Sequence, residues 1–150
     1  MNLLSRRSRL AISAVVDIAL HSRPSPVVAK VLAARHRLPP RHLEILLQGL
    51  VHAKILKGVR GQRGGYELAR DRRRITLGEI VRTAVSLSIG DPETVGAHSL
   101  LMEKVIEPAV RKAGAPFLDN LDSITIEYLC ETAEKAHIFE DDNAAADFAI

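Results

Sequence analysis

Apolar residues recur at helical spacing through most of the first half of the chain. Ala11, Ala14, Val15, Ile18 and Ala19 share one face of a helix predicted over roughly residues 5–22. Ser25 followed by Pro26 reads as an N-cap and first turn, opening a second helix through about Arg35 with Val28, Val31 and Leu32 inward. Pro39 and Pro40 suit the first turn of a third helix, since proline has no N–H to lose there. Within it Leu43, Leu46, Leu47 and Leu50 stand at i, i+3, i+4 and i+7, a single stripe that predicts core. The second and third helices then form a helix-turn-helix. Opposite the stripe lie Arg41, Ile45, Gln48 and His52, flanked by His42 and Glu44. A mixed face of that kind suits the surface of a helical bundle or a helix that reads base edges.

The periodicity changes at Ile55. Between there and Arg70, two short apolar runs flank Arg60, Gly61, Gln62, Arg63, Gly64 and Gly65. Val59 on one side and Tyr66 and Leu68 on the other suit paired strands, and the glycines permit a tight turn. The result is a hairpin with an arginine tip, which can enter a narrow minor groove where negative potential is concentrated. A phosphate-cradling loop is excluded, because that motif ends in Gly-Lys-Ser/Thr before a helix and this loop runs into a strand.

Thr76 and Glu79 make a capping box that starts a fourth helix at Ile80, Val81 and Ala84. Residues 85–97 carry Gly90, Asp91, Pro92 and Gly96 and read as a linker loop. From His98 to about Leu121 the residues Met102, Val105, Ile106, Ala109, Val110 and Ala113 predict a long helix that is apolar over more than one face. Pro108 and Pro116 are expected to kink or interrupt it. Its simplest cover is the same helix of a second copy, which implies a symmetric homodimer. A last helix spans about Thr125 to Ala136, and the acidic, alanine-rich stretch from Glu140 to Ile150 reads as a mobile tail. The expected organisation is a DNA-binding domain over 1–84, the linker over 85–97, a helical dimerisation region over 98–138 and the tail over 139–150.

Charge sharpens this picture. Residues 1–75 hold 16 Lys or Arg against 4 Asp or Glu, whereas the remainder holds 5 against 14, so a modest overall +3 hides halves of +12 and −9. The basic half invites a polyanion. Arg6, Arg7 and Arg9 crowd the start of the first helix, where cations oppose the helix dipole; phosphate contact explains them more readily than helix stability, with a frayed, solvated helix end as the alternative. Only five residues are aromatic, which disfavours a single-strand binder that stacks bases on rings and leaves duplex DNA as the target.

Other classes fall away. The apolar stretch Leu10 to Leu20 contains Asp17 and is too short for a membrane span or a signal peptide. With one cysteine, Cys130, no intrachain disulfide exists, and a reducing cytoplasm is the expected compartment. The histidines at 21, 36, 42, 52, 98 and 137 show no ligand pairing, so no metal is expected, and no catalytic constellation is legible. The chain is not expected to be an enzyme.

The run from Pro40 to Glu44 through Leu50 and Ala53, then Val59-Arg60-Gly61-Gln62-Arg63-Gly64-Gly65-Tyr66-Glu67-Leu68-Ala69-Arg70 and Ile75 to Val81, resembles the Rrf family of bacterial winged-helix regulators of the IscR, NsrR and CymR type. The resemblance covers nearly the whole chain. It implies a mainly α fold with a small β-hairpin wing: a winged helix-turn-helix plus a long C-terminal dimerisation helix. It further implies a homodimeric transcription regulator, expected to be a repressor, that reads a palindromic operator with the third helix in the major groove and the wing in the minor groove. Arg41, Glu44 and Ile45 then occupy base-reading positions and Arg60 the wing-arginine position. His42, Gln48, Gln62, Arg63, Arg7 and Arg9 complete the expected DNA-binding set.

The chain departs from the family in one respect. Many members hold an iron-sulfur cluster through three cysteines between the fourth helix and the long helix, and this chain has none there. Asp91, Glu93 and His98 are poor substitutes, so neither cluster nor other cofactor is expected, and the effector is unknown. The rival reading is a winged-helix adaptor whose basic face meets an acidic protein partner.

Overall fold

The leucine stripe forms the floor of the fold. Helix α3 (Pro40–His52) buries Leu43, Leu46, Leu47 and Leu50 in one core shared with α1 (Arg6–His21), whose Ala11, Ala14, Val15 and Ile18 are equally enclosed. Helix α2 (Ala29–Arg35) packs beside α3 and contributes Leu32 and Ala33. The computed structural model describes residues 3–87 and 99–139, so the expected acidic tail and most of the expected linker loop lie outside the described residues. Ser5 caps α1 by accepting from the Ser8 amide at 3.1 Å, as its position just before the apolar face requires.

Strands β1 (Leu56–Val59) and β2 (Gly65–Leu68) pair antiparallel, with Leu56 opposite Leu68 and Val59 opposite Gly65. A short 3-10 turn of three arginines, Arg72–Arg74, then leads into α4 (Leu77–Leu87). The capping box is present: the Thr76 amide donates to Glu79 Oε2 at 3.1 Å and the Glu79 amide to Thr76 Oγ1 at 3.3 Å. The fold is thus mainly helical with a two-stranded wing.

Helix α2 begins later than the sequence pattern predicts. Val27 is drawn into an antiparallel bridge with Tyr66, each amide donating to the other's carbonyl at 2.9 and 2.8 Å, and an extended residue cannot also start a helix. The Ser25 cap is therefore not used. Val28 takes the cap position, and Val28 and Val31 are 46% and 49% exposed rather than inward.

The C-terminal half differs in detail too. Helix α4 runs through Leu87, past the boundary expected at residue 84. The expected break at Pro108 is a register change: Met102–Ile106 wind as a π-helix directly before α5 (Glu107–Asp122), so the proline sits in a first turn where its missing N–H costs nothing. Pro116 lies inside α5 on its exposed side, where water can take the carbonyl it orphans, and does not end the helix. Helix α6 (Ile126–Lys135) is capped by Thr125, which accepts from the Tyr128 amide at 3.2 Å. It packs Ile126 and Cys130 into the same core. A second bridge, Thr76 with Thr125, and the bidentate Arg82–Asp122 pair at 2.6 and 2.8 Å tie this region to α4.

One buried charge among the described residues fixes how α1 meets α2. Asp17 is 1% exposed and accepts from Arg35 Nε at 3.0 Å and Nη2 at 2.7 Å, with His36 Nε2 and His21 Nδ1 each 3.0 Å away. A buried carboxylate is tolerated only when so engaged. Burial alone would push the Asp17 carboxyl up, but the His36 hydrogen bond and the charges of Arg35 and His21 outweigh it and hold the group below its ordinary value of 3.8.

A carboxyl whose folded value is depressed adds stability that is complete above its unfolded value and disappears as pH falls through the lowered one. In urea unfolding, Asp17→Asn is expected to cost about 2 kcal/mol at neutral pH, because Arg35 loses its anion. Wild type is expected to lose stability on acidification below about pH 4, and the variant to show a smaller drop over the same interval.

Candidate nucleic-acid interface

Because α3 buries its leucines, its other side must face out. Arg41, His42, Glu44, Ile45 and Gln48 are all exposed there, as is His52 one turn on. Arg60, Gln62 and Arg63 are exposed at the tip of the hairpin. Among the described residues Arg41, Arg60 and Arg63 have no carboxylate within ion-pair range, whereas Lys57, Arg70, Arg72, Arg73 and Arg82 all do. Exposed cations left without an anion are what a phosphate backbone neutralises.

The remaining predicted cations are placed differently. Arg7 is half-buried, and its guanidinium donates to the Leu87 carbonyl at 3.2 Å, where it complements the C-terminal end of α4. It is not brought to the tip arginines. Arg9 is exposed along α1.

Glycine shapes the wing by backbone crowding. A Cβ on Gly64 would sit 2.4 Å from the Val59 carbonyl oxygen, and one on Gly65 would sit 2.5 Å from that of Val27. Gly61 turns the chain at φ 116°, a region open to glycine. The Gly65 approach is what lets Val27 pair with Tyr66, so a single bridge ties the hairpin to the entry of α2. At its base Arg70 donates to the carbonyls of Lys54 at 3.1 Å and Arg74 at 3.3 Å, and to Glu79 Oε1 at 3.1 Å. Sequence reasoning missed both devices. Nothing local in Val27 or Arg70 distinguishes them, and only the paired glycines hinted at a close neighbour.

A family model described as Rrf2, iron-dependent transcriptional regulator, matches residues 4–132. The chain belongs to the Rrf2 family. It is 32% identical over 123 residues to a Synechocystis chain provisionally named as an HTH-type transcriptional regulator, covering 82% of this chain and 84% of that one. IscR of Sodalis glossinidius is 36% identical over 86 residues, 57% of this chain, and that match spans about half the length of IscR, 52%. Among solved structures, IscR of T. potens superposes with a TM-score of 0.68 at 31% identity over 90% of both chains. CymR, described as the global cysteine regulator of B. subtilis, gives 0.63 at 25% identity, covering 88% of this chain and 98% of CymR.

This Rrf2 member is a winged-helix, DNA-binding transcription regulator and not an enzyme. Its donor set does not fit a cluster held by three thiolates. The chain has one cysteine, Cys130; it is enclosed beneath α6, and burial pushes its thiol up, away from the thiolate that iron requires. Among the described residues no three His, Cys, Asp or Glu side chains lie close enough to share a metal ion. Asp91, Glu93 and His98 lie outside the described residues.

The crowding at Gly65 gives a direct check. Gly65→Ala is expected to force Val27 off β2 and to accelerate hydrogen exchange at the Val27 and Tyr66 amides at least tenfold, a loss of about 1.4 kcal/mol or more of local stability. Gly58→Ala, whose added Cβ meets nothing within 4 Å, is expected to leave both amides protected.

Proposed function

We propose that this chain acts as a cytoplasmic homodimer that binds a palindromic operator, α3 of each subunit entering the major groove and each wing the adjacent minor groove. By occupying promoter DNA it represses. It does so without an iron-sulfur cluster. The observation that carries the reading is Arg41 on the outward side of a helix whose inward side is sealed, together with Arg60 and Arg63 exposed at the hairpin tip, none of the three with a carboxylate in ion-pair range among the described residues. The named relatives, all transcription regulators, support it. No helix among the described residues is long and apolar enough to cross a membrane.

Dimer formation is supported by what the fold leaves uncovered. Around the π-helix and α5, Leu100, Leu101, Val105 and Val110 are exposed, Val110 to 66%, and these residues make no use of the core beneath α4. A contiguous apolar stretch on a long helix is the kind of surface that a self-complementary interface buries. A two-fold dimer also fixes the distance between its two α3 helices, which suits half-sites about one helical turn apart.

Selection from random duplexes at physiological salt tests the operator reading. A recovered palindrome supports it, and retention of all sequences alike would defeat it. On that operator, Arg60→Ala and Arg63→Ala are each expected to weaken binding and to lower the slope of log K against log salt by about 0.9 per lost phosphate contact. In sedimentation, Val105→Glu combined with Val110→Glu is expected to yield monomers that retain their helical content and have lost tight operator binding.

A further inference from the structure

Ile45 is out of place on α3 unless something apolar meets it. It is 62% exposed, its neighbours Arg41, Glu44 and Gln48 on that side are polar, and the core stripe beneath is complete without it. A β-branched residue also brings no helix propensity that would explain its choice at an exposed position. On its own helix Ile45 has no exposed apolar neighbour on that side, and one side chain is too small for a protein-binding patch, whose apolar core extends over several hundred square ångströms. The tip cations Arg60 and Arg63 and, one turn earlier on α3, Arg41 mark the occupant of this side as a polyanion.

Within a major groove the one apolar group that any unmodified base presents is the 5-methyl of thymine. Beside it, the paired adenine presents the N6 donor and N7 acceptor that a side-chain amide matches with its own acceptor and donor. Gln48 follows Ile45 by three residues, so the two side chains stand next to one another on the helix, with Cβ atoms about 5–6 Å apart. An apolar group beside an amide is complementary to one base pair.

We propose that α3 reads an adenine·thymine pair in each half-site, Ile45 packing on the thymine 5-methyl and Gln48 taking the adenine edge. This rests on the operator reading given above and adds a base identity to it. Binding is measured on the selected operator with each thymine of one half-site replaced in turn by uracil, which lacks only the methyl group. At one position the replacement weakens wild-type binding about fourfold, the factor for one methyl group removed from water. Ile45→Ala weakens binding to the thymine operator by a similar factor and is indifferent to uracil there. Gln48→Ala keeps the methyl effect and loses the preference for adenine over guanine in the partner strand. Wild-type binding that ignores every uracil, or a methyl effect that survives in Ile45→Ala, overturns the inference and leaves the operator reading standing. A selection that returns no common sequence overturns both. Circular dichroism identical to wild type separates these outcomes from misfolding.

Discussion

The direction in which α3 faces is set by the burial of four leucines, and the rest of the molecule depends on that one constraint. Removing Leu43, Leu46, Leu47 and Leu50 from water is worth about 1.5–3 kcal/mol each, a sum that no surface interaction approaches. The helix therefore cannot roll. Once its inner side is committed to the core beside α2, β1 and α4, whatever occupies positions 41, 44, 45 and 48 must project outward. Asp17 completes the arrangement by pinning α2 to α1 through Arg35 and His36, so the helix that precedes α3 arrives at a fixed angle.

How far the sequence foretold this depends on the range over which each feature is decided. The first and third helices, the capping box at Thr76 and Glu79, and the hairpin are settled by residues within a turn or two of one another, and their extents agree with the pattern. The start of α2 is not local. It waits on Tyr66, 39 residues after Val27, and a Ser-Pro signal that is adequate in isolation is overruled by two backbone hydrogen bonds. Pro108 misled for a related reason, because a change of helical register absorbed what looked like a break. Of the candidate site, the tip arginines and the outward side of α3 were readable from periodicity. The commitment of Arg7 to the end of α4 was not, since its partner lies 80 residues away.

The opposite charges of the two halves do more than separate roles. Arg72 pairs with Glu127 and Arg82 with Asp122, each joining a residue of the basic half or of α4 to the acidic C-terminal helices. The bridge between Thr76 and Thr125 lies between these pairs in the sequence. The long α5 is thereby tied to α4, and α6 to the arginine turn that precedes α4.

The pairing of Val27 with Tyr66 makes the hairpin part of the same solid piece as the helix beside it. The offset between hairpin and helix is accordingly a built-in length, not an adjustable one. A duplex whose local twist or groove width does not offer phosphates at that length must itself deform to be held, at an energy that depends on its sequence. Under the operator reading proposed above, discrimination among DNA sites extends to base pairs that no side chain touches.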